Sequence, residues 1–117
     1  MNIEDFRSYC LAKKGVTEEF PFGGETLVFK VMGKMFALTD VDLFAGVNLK
    51  CDPEEAEQLR ESYPAIQPGY HMNKKHWNTV DMDGSLDDKF ICGLIDQSYD
   101  LVVKGLTKTQ KELLTKL

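Results

Sequence analysis

Residues 63–80 contain the side chains of this sequence that are best suited to contact an anionic ligand. The segment holds both histidines (His71 and His76), the only tryptophan (Trp77) and two adjacent lysines, and it has no acidic residue. Lysine ammonium groups bind phosphate oxygens, and aromatic rings stack on bases or pack on sugars. In a chain of net charge −5, this acid-free segment predicts a binding surface.

Further polar side chains are predicted to lie on one face of a β-sheet. Lys30, Asn48 and Lys50 alternate with apolar residues, so they should lie opposite the apolar face of their strands. The alternative is an ordinary solvated sheet face with the tryptophan ring filling the core beneath it. The predicted nucleic-acid or ligand-binding residues are Lys30, Lys34, Asn48, Lys50, Tyr70, His71, Asn73, Lys74, Lys75, His76 and Trp77.

These side chains have two predicted roles in a complex with DNA. The lysines at the hairpin tips, Lys34, Lys74 and Lys75, are predicted to contact phosphates. The rings of Tyr70, His76 and Trp77 in the acid-free segment are predicted to pack on sugar or base. With so few cations, the interaction should be weak and strongly salt-dependent.

The histidines and cysteines favour neither a metal site nor catalysis. His71 and His76 flank two lysines, which would repel a cation, and no third ligand is close in sequence. The three cysteines are far apart and lie in apolar contexts, which predicts buried, reduced thiols. A catalytic histidine would need a carboxylate partner that the sequence does not reveal. We therefore expect a non-enzymatic binding protein without a catalytic residue, metal or cofactor.

Composition and charge predict one globular domain, residues 1–117. The hydrophobic fraction of 43% and the charged fraction of 28% are ordinary for a chain with a single core. No apolar run is long enough to cross a bilayer and the N-terminus lacks a signal-peptide pattern, so we expect no membrane partner and a cytoplasmic location. The net negative charge argues against a surface that is basic throughout. However, acids gather in residues 52–61 and 81–88, whereas lysines gather in 62–80 and 101–117.

The elements that must position these residues follow from hydrophobic periodicity and turn residues. Helices are predicted over residues 2–14, 53–62, 86–104 and 107–117, with Asp52, Ser85 and Thr107 as N-caps. This order of elements predicts an α+β fold in which an antiparallel sheet is packed on one face by helices. Its strands are predicted over residues 26–32, 34–39, 43–51, 66–68 and 75–82, of which the first three form a meander.

Four stretches of the chain resemble the MmcQ/YjbR family of small bacterial proteins. The resemblance runs from the opening helix to residues 101–103 and implies a CyaY-like fold, similar to bacterial frataxin-like proteins. It also implies DNA binding, with a double wing of β-hairpins as the contact element. The residues that match by position are Pro21, Phe22, Gly23, Lys30, Gly33, Lys34, Asn48, Lys50, Pro68, Gly69, His71, Asn73, Lys74, His76 and Trp77.

Two functions therefore remain open. The first is DNA binding through a basic and aromatic sheet face and the hairpin tips. The second is a module that binds a small anionic ligand or a protein partner. An exposed ridge of cations would favour nucleic acid, whereas a concave pocket around Lys30, Asn48, His71 and Trp77 would favour the small ligand.

Overall fold

The chain folds into four helices and one six-stranded antiparallel sheet. The structure is a computed structural model that describes residues 1–70 and 72–117. The strand order is β1-β2-β3-β4-β6-β5, and the predicted α+β fold with an antiparallel sheet is confirmed. In chain order the elements are α1 (Ile3–Leu11), β1 (Val16–Glu19), β2 (Thr26–Val31), β3 (Lys34–Asp40), β4 (Gly46–Lys50), α2 (Pro53–Ser62), β5 (Ile66–Pro68), β6 (Trp77–Asp81), α3 (Asp88–Lys104) and α4 (Lys108–Thr115).

The main core lies between one face of the sheet and the helices. Alternation along each strand sends every second side chain to this face. Removal of this apolar surface from water is the main favourable contribution to folding. The fully or almost fully buried contributors include Phe6 and Cys10 of α1, Leu27, Phe29 and Val31 of β2, Val47 and Leu49 of β4, and Ile91, Ile95 and Val102 of α3.

A buried hydroxyl ties the longest helix to the sheet. Ser98 of α3 is fully buried, and its Oγ donates to the carbonyl of Phe36 at 2.5 Å. The same oxygen accepts from the backbone N–H of Lys50 at 2.8 Å. A β-bulge between β2 and β3 shifts the register after Phe29 and allows both Phe36 and Ala37 to be buried.

The opposite face of the sheet, called the outer face below, has a second and smaller apolar cluster. Val28, Leu38 and Trp77 are buried there, and Met35 and Met72 pack against them. The register pairs Trp77 with Lys50 and Asn48 with Thr79, which places these side chains on the outer face. The tryptophan ring therefore fills a hydrophobic cluster on the side of the sheet away from the helices.

The first part of the chain departs from prediction. The first helix ends at Leu11 rather than at residue 14, and an additional strand, β1, pairs with β2 as the edge of the sheet. Only Val16 in β1 is strongly apolar, and alternation over four residues is too short to indicate a strand by itself. The meander thus has four strands instead of three.

Two predicted boundaries are also wrong. Leu43 was expected in the third strand of the meander, but β4 begins at Gly46 and the Leu43 side chain is 77% exposed. Ser85 was expected to cap α3, but the side chain of Asp87 accepts from the N–H of Phe90 at 2.7 Å and caps the helix instead. Ser85 bonds to Asp83 in the preceding turn.

Within the described part of the chain, no helix is long and apolar enough to span a bilayer.

Candidate nucleic-acid interface

The two ends of the sheet differ in charge. One end, called the basic end below, holds the β2–β3 turn, the last residue of β4 and the first residue of β6. The strand register shows that these segments lie at the same end of the sheet, because Val31 pairs with Lys34 and Lys50 pairs with Trp77. The lysines carried by the elements that meet at this end are Lys14, Lys34, Lys50, Lys74, Lys75, Lys104, Lys108, Lys111 and Lys116.

The C-terminal helices add their lysines to this end because of how they pack. The last turn of α3, with Leu101 and Gly105, lines a groove together with Lys34 and Lys50. Helix α4 then covers the start of β1: a Cβ atom on Gly15 would lie 2.5 Å from the Leu114 side chain. The tips of hairpin β2–β3 and of hairpin β5–β6 flank the same end.

The lysines of the basic end lack acidic partners. None of the nine forms an ion pair with an acidic side chain in residues 1–70 and 72–117, and all but the half-buried Lys50 are exposed. By contrast, Arg7 pairs with Glu18, Lys13 with Asp96 and Lys30 with Glu19. Unpaired positive charge is therefore concentrated at one end of an acidic chain.

Carboxylates collect at the opposite end of the sheet, the acidic end. Here the register pairs Thr26 with Asp40 and Gly46 with Asp81. Burial and the neighbouring carboxylate of Asp83 raise the pKa of Asp81 above its usual value. The acidic side chains in the β3–β4 link, after β6 and at the start of α3 are Asp40, Asp42, Asp81, Asp83, Asp87 and Asp88. The charge that the sequence separates along the chain is thus separated in space along the strand direction.

Most predicted candidates on the outer face are already engaged within the protein. The Lys30 Nζ lies 2.6 Å from the Glu19 Oε1. The Thr79 hydroxyl donates to the Asn48 Oδ1 at 2.6 Å and accepts from the N–H of Tyr70 at 2.9 Å. Trp77 is only 8% exposed, so most of its ring surface is covered by protein. The outer face offers less free charge and aromatic surface than the sequence predicted.

The candidates in the β5–β6 connection are more accessible. Tyr70 is 70% exposed, Asn73, Lys74 and Lys75 are exposed, and His76 is half-buried. His71 lies outside the described residues. Two hydrogen bonds between side chains and backbone lie within the described part of this connection: the Lys74 ammonium donates to the carbonyl of Gly69 at 3.0 Å, and the Asn73 Oδ1 accepts from the N–H of Lys75 at 2.9 Å.

Arg60 is a residue that sequence reasoning missed. It reaches from α2 to this loop, where its guanidinium donates to the carbonyl of Lys74 and, at 2.6 Å, to the Oδ1 of the buried Asn78. Asn78 lies on the helix side of the sheet, not with the outer-face candidates, and its amide also donates to Ala56. Arg60 thus holds the lysine-bearing loop in place. No local pattern signals this role, because the contact spans 14 to 18 residues.

The first turns of α2 place acidic side chains at one border of the basic end. Glu54, Glu57, Arg60 and Lys75 line a shallow groove there. The carboxylates of Glu54 and Glu57 therefore offset the positive charge of Arg60 and Lys75 on this side of the basic end. Further acids carried by these elements are Asp52, Glu55, Asp100 and Glu112.

Two of the three cysteines match the prediction of buried, reduced thiols, whereas Cys92 is more exposed than predicted. All three are free, Cys10 and Cys51 are buried, and Cys92 is half-buried. Burial raises the pKa of Cys10 to about 12 and that of Cys51 to about 11, so neither is a thiolate at neutral pH. The described residues contain no group of three potential metal-ligating side chains.

The fold and its charged end define a small α+β protein with an open antiparallel sheet. The chain belongs to the YjbR family, whose model matches residues 11–101, and the predicted family resemblance is confirmed. It is 37% identical over 118 residues to the uncharacterized protein YjbR of Escherichia coli strain K12, with all of both chains covered. It is 42% identical to the uncharacterized protein YbdF of Escherichia coli O157:H7 over 80% of this chain and 77% of that one.

Solved structures support the same conclusion. The crystal structure of Deinococcus radiodurans protein DR2400, with domain DUF419, has a TM-score of 0.90 and 45% identity, covering 97% of this chain and 88% of that one. A crystal structure of a Pseudomonas syringae protein has a TM-score of 0.74 and 32% identity, covering 86% and 98%. These relatives share the fold and the family, and their names state no activity.

Proposed function

We propose that this protein binds DNA through its basic end, mainly by contacts to the phosphate backbone. The observation that carries the proposal is the concentration, at one end of a chain of net charge −5, of nine lysines that form no ion pair with the acidic side chains that the structure describes. Long side chains at hairpin tips and on a terminal helix can adapt to a polyanion without losing internal ion pairs. Phosphate contacts of this kind give affinity and orientation but little sequence readout.

The hairpin tips and α4 support this proposal better than the outer face does. Lys34, Lys74 and Lys75 lie at the tips of two hairpins that flank the basic end, an arrangement that suits the double wing implied by the family. On the outer face, Lys30 is neutralised by Glu19 and Trp77 is covered. The pocket predicted around Lys30, Asn48, His71 and Trp77 is less supported, because Lys30 and Asn48 are occupied by contacts within the protein.

Salt dependence is the first expected property of the complex. If about four lysines contact phosphates, log K should fall against log salt with a slope of about −3.6. Binding should therefore be measurable at low salt and weak at physiological salt. A titration of fluorescently labelled duplex DNA, followed by anisotropy at several salt concentrations, measures this slope.

A matched pair of charge reversals tests the location of the interface. Lys34→Glu at the β2–β3 tip should weaken duplex binding by about tenfold or more at low salt, because it replaces a phosphate contact with repulsion. Lys89→Glu makes the same change in net charge at the acidic end, on an exposed residue, and should change affinity by less than about threefold. Equal weakening by both variants would show that only net charge matters, and no binding at micromolar protein would contradict the proposal.

A further inference from the structure

A groove at the basic end combines cationic and apolar side chains. It runs between the start of β3 and the last turn of α3, and its volume is about 320 Å³, within the range of about 300–1,000 Å³ found for small-ligand sites. Lys34 and Lys50 are its cations, and Met35, Trp77 and Leu101 form its apolar wall. It differs from the pocket that the sequence predicted, since neither Lys30 nor Asn48 lines it.

The cations of this groove are available to a ligand. Lys34 is exposed and Lys50 half-buried, and neither has an ion-pair partner among the acidic side chains that the structure describes. The backbone of Lys50 is fixed, because its N–H donates to the buried Ser98 Oγ at 2.8 Å. A phosphate that reaches these ammonium groups would gain charge-assisted hydrogen bonds without breaking an ion pair among the described residues.

The apolar wall adds a second requirement on the ligand. Met35 packs against the cluster that contains Trp77, and both residues line the groove together with Leu101. A bare phosphate would leave this wall in water, whereas a flat, weakly polar ring would cover it. Nucleobases are such rings, and their binding to protein surfaces of this kind tolerates different bases because every base has a flat π-face.

Resting on the proposed DNA binding, we infer that this groove receives one unpaired nucleotide of a single strand. Its phosphate contacts Lys34 and Lys50, and its base packs on Met35 and Leu101, beside the largely buried Trp77. In a duplex the bases are paired and stacked inside the helix, so a duplex can offer only phosphates to the groove. The protein should therefore prefer single-stranded to double-stranded DNA.

Trp77 makes this inference directly testable because it is the only tryptophan. We would titrate the protein with an oligothymidylate of about ten nucleotides and with a duplex of the same length, following both tryptophan emission and the anisotropy of labelled DNA. The single strand should bind at least about tenfold more tightly than the duplex. It should also change the Trp77 emission and protect it from iodide quenching.

The control variants separate groove contacts from general charge. Lys50→Gln removes the charge but keeps a polar side chain, and it should weaken single-strand binding by about tenfold while changing duplex binding much less. Lys89→Gln should leave both unchanged. Circular dichroism checks that each variant is folded, and the emission of the unmodified protein tests the groove even if a variant is unstable.

The outcomes distinguish this inference from the function on which it rests. Duplex binding as tight as single-strand binding, or unchanged Trp77 emission at saturation, would contradict nucleotide binding in the groove. Neither result would contradict DNA binding through the basic end. An emission change produced equally by inorganic phosphate would also contradict nucleotide binding in the groove, because no base would be needed. If neither form of DNA binds, both proposals fail.

Discussion

At the scale of single residues, Arg60 has the largest structural role among the charged side chains near the basic end. Its guanidinium donates to the Oδ1 of Asn78, which is 2% exposed, and to carbonyl groups of the β5–β6 connection. A buried acceptor that loses its donor costs about 1–3 kcal/mol. The side chain that fixes the lysine-bearing loop is therefore also a determinant of stability.

We expect Arg60→Ala to lower the free energy of unfolding by about 1–3 kcal/mol, because the buried Asn78 loses its partner. Urea denaturation followed by circular dichroism measures this change. Arg7→Ala is the control: Arg7 pairs with Glu4 and, through two part-buried hydrogen bonds, with Glu18, but both carboxylates keep contact with water, so its effect should be smaller. A larger loss for Arg7→Ala than for Arg60→Ala would contradict this assignment.

The residues of the candidate site show what the sequence could predict about it. Alternation correctly placed Lys30, Asn48 and Lys50 on the face away from the helices, since that depends only on strand geometry. It could not show that Lys30 is neutralised, because its partner Glu19 belongs to β1, a strand that the sequence did not reveal. It also could not show that Trp77 is covered, because Val28 and Leu38 are far away in sequence.

At the scale of elements, some local signals predicted the structure, whereas features set by long-range contacts were not predicted. The start of α4 was predicted from Thr107 and Gln110, and both hydrogen bonds of this capping box are present. Leu43 was misplaced because β4 is set by pairing with β3 and β6. Phe44, in the link before β4, adopts a φ of 43°, and its ring packs on the ring of Phe6. This is a tertiary contact that the alternation of apolar and polar residues does not reveal.

Helices α1 and α3 are joined by a polar contact that makes stability depend on pH. The Asp96 carboxylate accepts from Lys13 at 2.5 Å and from the Tyr9 hydroxyl at 2.7 Å. Burial alone would raise the pKa of Asp96, but these two hydrogen bonds and the lysine charge outweigh it and hold the pKa below its usual value. The ionised form is therefore favoured in the folded protein.

We expect this contact to stabilise the fold at neutral pH and to be lost in acid. Because the folded-state pKa of Asp96 is below the unfolded value of about 3.9, its contribution is complete above that value and disappears as the pH falls through the folded-state pKa. Thermal unfolding between about pH 7 and pH 3 measures this loss. Asp96→Asn should lower the melting temperature at neutral pH and reduce its fall in acid, and an unchanged pH profile would contradict the prediction.

At the scale of the whole molecule, the strand direction is also an electrostatic axis. Helices α1 and α3 both run from the acidic end to the basic end, since Met1 pairs with Asp88 at one end and Gly105 meets Lys34 at the other. Their carboxyl-terminal partial negative charges lie near the lysines and reduce repulsion among them. The fold thus helps to keep many cations together without ion pairs.

This axis affects how the protein behaves on charged chromatography media. A protein of net charge −5 would be expected to flow through a sulfonate cation exchanger at pH 7 if its charge were spread evenly. Because like charges are gathered at one end, the molecule can turn that end toward the matrix, and we expect retention at low salt on sulfonate as well as on quaternary-amine resin. Elution from sulfonate should occur earlier for Lys34→Glu than for Lys89→Glu, and identical elution would contradict the prediction. Retention on an ion-exchange resin would then depend on which end of the molecule faces the matrix, as well as on its net charge.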